Sequence, residues 1–153
     1  QLEEHETLKK QLGDVLSGHN VRPVVICAQL EMELAQMDHD DEKEFRDYLG
    51  VKESSLNRMI QISYDVVDQI AFFTVGEDEV RAWEIPRHTA AQQAAGKIHT
   101  DLERGFIRAE VVAYEKLIES GGLTAARKLG FLRQEGKDYI VGDGEIMHVL
   151  FNV

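Results

Sequence analysis

Basic and imidazole side chains between positions 97 and 108 form the group best suited to binding chemistry. Ammonium and guanidinium groups donate charge-assisted hydrogen bonds to phosphate and carboxylate oxygens. A surface that combines such groups predicts recognition of RNA or of a protein partner. The candidate residues are Lys97, His99, Arg104 and Arg108, with Arg81 and Arg87 as additions from the preceding segment.

A second interpretation of the same segment involves no partner. On a continuous helix, Lys97 would pair with Asp101, because residues four apart are neighbours on the helix surface. His99 would pair with Glu103 in the same way. The segment would then be a solvated helix face that ends at Gly105. The residues alone leave both interpretations open and favour the solvated face.

A phosphate-binding loop is missing from the sequence. The motif G-x-x-x-x-G-K-[ST] cradles nucleotide phosphates with backbone N–H groups and supplies a hydroxyl for magnesium. Here Gly96-Lys97 is followed by Ile98 and preceded, five residues earlier, by Ala91. We therefore expect the Gly-Lys pair to lie inside a helix. We also expect that this chain alone hydrolyses neither ATP nor GTP.

Metal binding and nucleophilic catalysis find little support in the sequence. The six histidines form no H-x-x-x-H pattern, and the single cysteine forms no C-x-x-C pattern. The acidic run from Asp38 to Glu42 is typical of a helix start, where carboxylates interact favourably with the helix dipole. Cys27 lies in a β-branched apolar run, which predicts a buried and inert thiol. We expect no metal site and no catalytic residue.

The acidity of the chain limits the classes of partner. Its 153 residues carry a net charge of −11 and are 43% hydrophobic, which is enough to build a core without disulfides or metals. A general nucleic-acid binder needs a basic surface for phosphate contacts and counterion release. Any contact with RNA is therefore expected to be local and specific.

Targeting signals are not apparent in the sequence. No apolar run approaches the ~18 residues that a membrane span requires. The first residues, Gln1 to Glu4, do not resemble a signal peptide. These features and the single cysteine favour the cytoplasm. The lack of an initiating methionine suggests a piece of a longer protein.

Residues 1–70 predict a helix, a strand and then further helices. Amphipathic spacing predicts a helix over about residues 2–17. The β-branched run from Val21 to Ala28 predicts a buried parallel strand. Helical spacing then continues as far as Ile70. This order is typical of the end of an α/β sheet.

Residues 71–153 predict an α+β fold in which one helix crosses a small mixed sheet, as in a β-grasp. Ile107, Ala109 and Val111 alternate with polar residues and are expected to face inward. An apolar helical face runs from Ala91 to Leu102. The other predicted elements are strands at 71–75, 80–85, 139–141 and 146–153 and short helices at 112–119 and 123–129.

Several short segments of the second half carry a family resemblance. They are F-T-V-G at 73–76, E-V-R-A-W at 79–83, Q-A-A-G-K-I-H-T-D at 93–101, G-F-I-R-A-E-V at 105–111, G-K-D-Y-I-V at 136–141, D-G at 143–144 and F-N-V at 151–153. In this order they resemble the C-terminal region of the YchF family, the Obg-like ATPases. The likeness covers essentially all of residues 70–153. Residues 20–70 are similar, more loosely, to the end of that family's nucleotide-binding domain.

The resemblance implies a TGS domain, which is a ubiquitin-like β-grasp, over residues 71–153. It implies that residues 1–70 are the C-terminal remnant of an α/β P-loop nucleotide-binding domain. The parent protein would bind and hydrolyse ATP or GTP with Mg²⁺ and would associate with ribosomes. The family's P-loop and switches would lie upstream of Gln1. Its second base-contacting loop matches Cys27-Ala28-Gln29, whose backbone would lie against the purine.

Two positions depart from the family's usual pattern. Gln92 stands where proline is usual, which alters the entry into the central helix. Leu102 stands where phenylalanine is usual, which is a conservative change in the core. Neither change threatens the predicted fold.

Two functions stay open after the sequence has been considered. The first is a non-catalytic module that presents the basic residues to the ribosome, to RNA or to a protein partner. The second is a structural domain that packs over the ATPase site of the parent protein. Clustering of the basic residues on one exposed face would favour the first.

Overall fold

The chain divides into two compact units, 1–67 and 68–153, in the computed structural model. The structure describes residues 7, 8, 10–13, 16, 21–51, 53–76 and 78–152. The predicted boundary followed Ile70, and the observed division falls three residues earlier because the first strand begins at Gln69.

Among the described residues of the first unit, the regular structure is helical. Ser54 starts its last helix by accepting a hydrogen bond from the Asn57 N–H at 3.1 Å through its side-chain oxygen. The helix predicted over 2–17 lies largely outside the described residues, of which 7, 8 and 10–13 are helical. The helices with described bounds are α1 (Ala28–Leu34), α2 (His39–Leu49) and α3 (Ser55–Val66).

The segment that leads into α1 differs from its prediction. Residues 21–27 form no strand, and Cys27 is exposed rather than buried. A β-branched run specifies extended backbone, but a strand and its burial also require hydrogen-bonded neighbours. The sheet described here is built from residues 69–151 alone. The predictions of a buried parallel strand and of an inert core thiol were therefore wrong.

A five-stranded mixed sheet forms the centre of the second unit. The strand order is β2-β1-β5-β3-β4, with β1 parallel to β5 and the other neighbours antiparallel. This is the β-grasp arrangement that the sequence predicts. The strands are β1 (Gln69–Val75), β2 (Val80–Pro86), β3 (Phe106–Ala113), β4 (Arg133–Glu135) and β5 (Glu145–Phe151).

One face of the sheet packs against an alanine-rich helix. Helix α4 (Ala91–Ile98) is followed by the short helix α5 (Thr100–Arg104). Three alanines of α4 are fully buried, and Ile98 and Leu102 pack beside them. Because alanine side chains are short, the helix axis can lie close to the sheet. The residues that form the rest of this core are Ile70, Phe72, Ile85, Ala109, Val111, Val141, Met147 and Val149.

The opposite face of the sheet is covered by two further helices. They are α6 (Tyr114–Ser120) and α7 (Leu123–Lys128). Val112 and Ile146 belong to this face, because they alternate along their strands with Val111 and Met147 of the first core. Ala126 of α7 is fully buried against them. The sheet is therefore apolar on both faces.

A bulge in β3 changes which side chain reaches the core. The pairing of β3 with β5 shifts register between Phe106 and Arg108. Phe106 consequently packs against the first core, and Ile107 is 58% exposed. A bulge adds one residue to a strand and reverses the alternation before it. The prediction that Ile107 faces inward was therefore wrong, whereas Ala109 and Val111 are buried as expected.

The last strands also differ from their predictions. Residues 139–141 form only a single antiparallel bridge, between Ile140 and Ala90. Strand β4 at Arg133–Glu135 was not predicted. It is short, polar and at the edge of the sheet, so it carries neither the alternation nor the β-branched residues that mark a strand in sequence.

Helix lengths bear on membrane insertion. The longest helix among the described residues is α3, with 12 residues. A span across a bilayer needs about 20 predominantly apolar residues. Within the part of the chain that the structure describes, no helix is both long and apolar enough to cross a membrane.

Replacement of Gly105 by alanine is expected to destabilise the second unit. Gly105 donates to the Asp101 carbonyl at 2.9 Å, and its own carbonyl accepts from the Asn152 N–H at 2.9 Å. A Cβ at this position would collide with the Asn152 backbone carbonyl. We expect a loss of about 2–3 kcal/mol in the free energy of unfolding. Urea unfolding followed by the fluorescence of Trp83 measures it.

The matched control for that change is Gly136→Ala. A Cβ at Gly136 meets no atom within 4 Å. Its effect should stay within about 0.5 kcal/mol. Equal urea midpoints for Gly105→Ala and the wild type would show that the close approach to Asn152 is absent.

Candidate functional site

The basic segment is interrupted at His99. This residue has φ −162° and ψ 144°, so the helix ends and extended backbone begins. The His99 Nδ1 accepts a hydrogen bond from the Asp101 N–H at 3.2 Å and thereby caps the start of α5. In the neutral ring the proton then resides on Nε2, which is available as a donor. The break therefore separates two short helices where one continuous helix was predicted.

The ion pairs expected on a continuous helix do not form. Lys97 makes no ion pair with any described residue, and Arg104 lies 3.9 Å from the Asp101 carboxylate. Residues four apart are neighbours only while the helix continues. The pairs Lys97–Asp101 and His99–Glu103 were therefore predicted wrongly. Three side chains of the predicted surface, Lys97, His99 and Arg104, are exposed on consecutive elements of one side of the sheet.

A hydrogen bond from Gln92 joins the two short helices. The Gln92 Nε2 donates to the Glu103 carbonyl at 3.0 Å. A Cβ at Gly96 would meet the Glu103 carboxylate, which is the end of a flexible side chain and would have to move. Proline at position 92 could not make this hydrogen bond. Gln92, one of the departures from the family pattern, thus stabilises the α4–α5 corner.

Arg108 lies on the other face of the sheet. Ala109 and Val111 belong to the core beneath α4, so the residues that alternate with them face away from it. The position of Glu110 confirms this orientation, because its carboxylate accepts a hydrogen bond at 2.7 Å from Arg127 of α7, on that other face. Arg108 shares that face with Glu110 and makes no ion pair with a described residue. The six predicted residues therefore do not form one continuous surface.

Arg81 and Arg87 have partners within the β1–β2 hairpin. The Arg81 guanidinium lies 4.2 Å from the centre of the Trp83 ring, whose Nε1 donates to the Thr74 hydroxyl at 2.9 Å. Arg87 lies 3.2 Å from the Asp68 carboxylate at the base of the hairpin. Strand β2 is at one edge of the sheet and β3 is three strands away. These contacts account for both arginines without an external partner.

The α4–α5 surface is locally balanced in charge. Lys97 and Arg104 are accompanied by Asp101 and Glu103 in the same two helices. Such a surface produces no broad positive potential. It can supply a few directional donors to phosphate oxygens, which is the local kind of contact expected for an acidic chain.

In the first unit, a partly buried ion-pair network fixes α1, the helix that follows Cys27 and begins with Ala28 and Gln29. The Glu31 carboxylate accepts from Arg46 at 2.9 Å and from the Ser55 hydroxyl at 2.7 Å. The Arg46 Nε also donates to Glu42 at 2.8 Å. Hydrogen bonds from Arg46, then from Ser55, lower the pKa of Glu31 from 4.5 to about 2, against the opposing effect of burial. The network joins α1, α2 and the start of α3.

The residues predicted to contact a purine base are exposed. Cys27 precedes α1 and Ala28 and Gln29 begin it, while the Gln29 side chain donates to Glu33 at 3.0 Å. Exposed residues at this point are compatible with a base lying against them. The sequence contains no phosphate-binding loop of the form G-x-x-x-x-G-K-[ST]. The role of these three residues stays a prediction.

Potential metal ligands are dispersed. Among the described residues, no three His, Cys, Asp or Glu side chains come together in a group that could hold a metal ion. The carboxylates of Asp40, Asp41 and Glu42 lie in the first turn of α2, where they favour the helix dipole.

One feature of the second unit had no counterpart in the sequence analysis. Residues 122–134 contain Arg127, Lys128 and Arg133 and no acidic residue. Helix α7, with Arg127 and Lys128, lies on the sheet face opposite α4. Arg133 is on β4 opposite Val111 and pairs with Glu145 on the α4 side. The lack of acidic residues in this stretch is visible in the sequence, and it was the signal that could have revealed this basic segment.

The second unit is thus a β-grasp domain whose sheet is covered on both faces. The family described as YchF-GTPase_C, "Protein of unknown function (DUF933)", matches residues 69–152, which is more than half of the chain. The chain therefore belongs to the YchF family, as its motifs indicated.

Curated relatives cover most of the chain. The ribosome-binding ATPase YchF of Bacillus subtilis is 43% identical over 143 residues, which are 94% of this chain and 39% of that protein. The ribosome-binding ATPase YchF of Pasteurella multocida is 48% identical over 130 residues, which are 85% of this chain and 36% of that protein. The chain therefore spans about two fifths of the length of these relatives.

A solved structure supports the fold. The Schizosaccharomyces pombe YchF GTPase matches with a TM-score of 0.71 and 32% identity, over 95% of this chain and 38% of that one. The predicted α+β class and the YchF relationship are confirmed. The identity of residues 1–67 as the end of a nucleotide-binding domain stays a prediction.

Acid is expected to weaken the first unit through Glu31. Because the pKa of its carboxyl is about 2 in the folded state and 4.5 ordinarily, its stabilising effect is complete above pH 4.5 and disappears as the pH falls towards 2. We expect Glu31→Gln to cost about 2 kcal/mol at pH 7 and much less near pH 2. Urea unfolding followed by the NMR amide signals of α1–α3 measures both.

Glu44→Gln is the control, because Glu44 is exposed on α2 and outside the network. It removes the same charge and should leave the urea midpoint nearly unchanged at either pH. An equal loss of stability in both variants would contradict the assignment of the acid sensitivity to Glu31.

Proposed function

We propose that residues 68–153 are the ribosome-binding module of a YchF-type nucleotide-hydrolysing protein. The observation that carries the proposal is that one compact unit, 68–153, coincides with the family match over 69–152. Relatives that match the chain are named ribosome-binding ATPases. A module that folds around its own core can present a binding surface without the catalytic part of the protein.

The α4–α5 corner supplies the contact surface in this proposal. Lys97 and Arg104 donate to phosphate oxygens of RNA, and the Nε2 of His99 donates between them. Lys97 gives up no ion pair with a described residue on binding, and the exposed pair of Arg104 with Asp101 at 3.9 Å is weak. The corner is held in place by the bond from Gln92 to Glu103, so little ordering is required.

Arg108 serves a second contact on the opposite face, because it too makes no ion pair with a described residue. Arg81 and Arg87 contribute less, since each already has a partner in the hairpin. A protein partner on the ribosome could use the same donors through its carboxylates. The nearby carboxylates of Asp101 and Glu103 repel phosphates and acidic side chains alike, so either partner must approach Lys97 and Arg104 directly.

Nucleotide hydrolysis belongs, in this proposal, to the part of the longer protein that the chain does not span. That part binds ATP or GTP with Mg²⁺, and Cys27, Ala28 and Gln29 lie against the purine. The printed names of the relatives include both ATPase and GTPase, so either nucleotide fits. Association with ribosomes places the protein in the cytoplasm.

Co-sedimentation of the purified chain with ribosomes tests the proposal. We expect Lys97→Ala/Arg104→Ala to weaken binding about tenfold and Arg108→Ala to have a smaller effect. A rise from about 50 to 200 mM salt should weaken wild-type binding roughly ten- to fifty-fold, as expected for about three phosphate contacts. The double variant should show a smaller dependence on salt.

The matched control is Lys10→Ala/Lys43→Ala, which removes two exposed cations from the first unit. An equal loss of binding in the control would show that net charge alone explains the loss, and it would contradict the proposed α4–α5 contact surface. A folded chain that fails to sediment with ribosomes would also contradict the module. Failure to sediment would instead support the other function, a structural domain that covers the nucleotide site of the parent protein.

A further inference from the structure

A buried carboxylate of the second unit lies outside the proposed contact surface. Glu145, the first residue of β5, is only 8% exposed. Its carboxylate accepts hydrogen bonds from the Arg133 guanidinium at 2.6 Å and from the Tyr139 hydroxyl at 2.8 Å. It also accepts from the Gly142 N–H at 2.8 Å. Burying a carboxylate is costly, and an apolar side chain often packs as well. Stability alone therefore does not explain why a carboxylate occupies this position.

The carboxylate fixes the conformation of the β4–β5 loop, which comprises residues 136–144. Its bonds to Tyr139 and Gly142 hold two points of this loop, and its bond to Arg133 joins the loop to β4. A Cβ at Gly142 would lie 3.1 Å from the carboxyl carbon, so the loop backbone approaches Glu145 closely. Burial, and then the bond to Glu145, raise the pKa of Tyr139, which keeps its hydroxyl protonated as a donor.

The β4–β5 loop in turn caps the start of α4. The first N–H groups of a helix have no acceptor within the helix, and a serine or aspartate side chain often supplies one. Ala90, the residue before α4, has no such side chain. Instead, the Ala91 N–H donates to the Tyr139 carbonyl at 2.7 Å. The Gln92 N–H donates to the Lys137 carbonyl at 3.2 Å. The loop therefore holds the helix end that the helix sequence leaves uncapped.

Gln92 connects the β4–β5 loop to the α4–α5 corner. Its backbone N–H is bonded to Lys137 of the loop, and its side chain donates to the Glu103 carbonyl at 3.0 Å. Glu103 belongs to α5, the short helix that also carries Arg104. Proline, which is usual at this position in the family, has neither a backbone N–H nor a side-chain amide. Both connections therefore depend on the glutamine of this chain.

We propose that Glu145 is a positioning residue for the ribosome contact, because it sets the α4–α5 corner through the β4–β5 loop and Gln92. We call this chain of bonds, from Glu145 through Tyr139 and Gln92 to the Glu103 carbonyl, the relay. The inference rests on the proposed function and assigns part of it to a buried group. A buried polar network in which every group is bonded specifies one conformation. A corner held in one conformation binds phosphates with less ordering than a loose one.

A purely structural role for the network is the alternative. In that case its loss lowers the free energy of unfolding, while chains that remain folded bind ribosomes as before. The relay predicts a weaker affinity of the folded chain. It also predicts that this weakening requires the cations of the corner, through which the relay acts. A double-mutant cycle separates the two roles.

Co-sedimentation of Tyr139→Phe with ribosomes tests the inference. The change removes the hydroxyl that bonds to Glu145 and leaves the ring packed against the core. We expect the ribosome affinity of the folded chain to fall about three- to fivefold, with a similar loss for Glu145→Gln. In the Lys97→Ala/Arg104→Ala background, Tyr139→Phe should cause no further loss. Urea midpoints measured in parallel identify conditions under which every variant is folded.

NMR of the free chain follows the relay directly. Tyr139→Phe should shift the amide signals of residues 102–105 as well as those of the loop. When Gln92→Ala removes the side-chain bond to α5, the same change should shift the loop signals alone. The matched control is Tyr114→Phe, because Tyr114 is 51% exposed on α6. It loses the same hydroxyl and should alter neither the signals of residues 102–105 nor the ribosome affinity.

The outcomes distinguish a failure of the relay from a failure of the contact surface. Shifts confined to the loop in Tyr139→Phe, or an equal weakening in both backgrounds, overturn the relay. Wild-type affinity of Tyr139→Phe and Glu145→Gln also overturns it, while weaker binding of Lys97→Ala/Arg104→Ala keeps the proposed function. If that double variant binds ribosomes like the wild type, the contact surface is wrong and the inference falls with it.

Discussion

Close contact between α4 and the sheet organises the second unit. Three buried alanines, Ala91, Ala94 and Ala95, permit that contact, and Phe72 and Val111 fill the space below them. Apolar burial is worth roughly 25 cal/mol per Å² of surface removed from water. A larger side chain at any of the three positions would have to separate the helix from the sheet. The position of every exposed residue on α4, and of the corner that follows it, depends on this contact.

The two faces of the sheet present different chemistry. On the face covered by α4, the break at His99 exposes a few hydrogen-bond donors on the α4–α5 corner, which Gln92 fixes in place. On the other side, α6 and α7 cover the sheet, and Arg127 pairs with Glu110. An acidic chain can carry the α4–α5 corner, because the corner depends on local geometry and requires no broad positive potential. The β-grasp core separates the two faces, so a change on one need not disturb the other.

Periodicity in the sequence predicted an α+β core, and the family resemblance implied that it is a β-grasp. The apolar positions of α4 and the alternation at Ala109 and Val111 follow directly from contacts between helix and sheet. The break at His99 could not be seen, because it depends on a cap from the histidine ring and preserves the apolar face. The bulge that exposes Ile107 depends on the register with β5. The exposure of Cys27 was missed because a β-branched run specifies extended backbone and does not specify neighbours. The family resemblance suggested which residues could bind, but alternation and hydrogen bonds decided which of them share a face.

Site-specific photo-crosslinking to ribosomes tests the central claim that the α4–α5 corner is the contact surface. A photoreactive residue at Gln93, exposed one turn before Lys97, reports on the corner. The same residue at Tyr48, which is exposed on α2 of the first unit, is the control. The account predicts ribosomal crosslinks from position 93 and few from position 48. Crosslinks from position 48 with none from position 93 would contradict it.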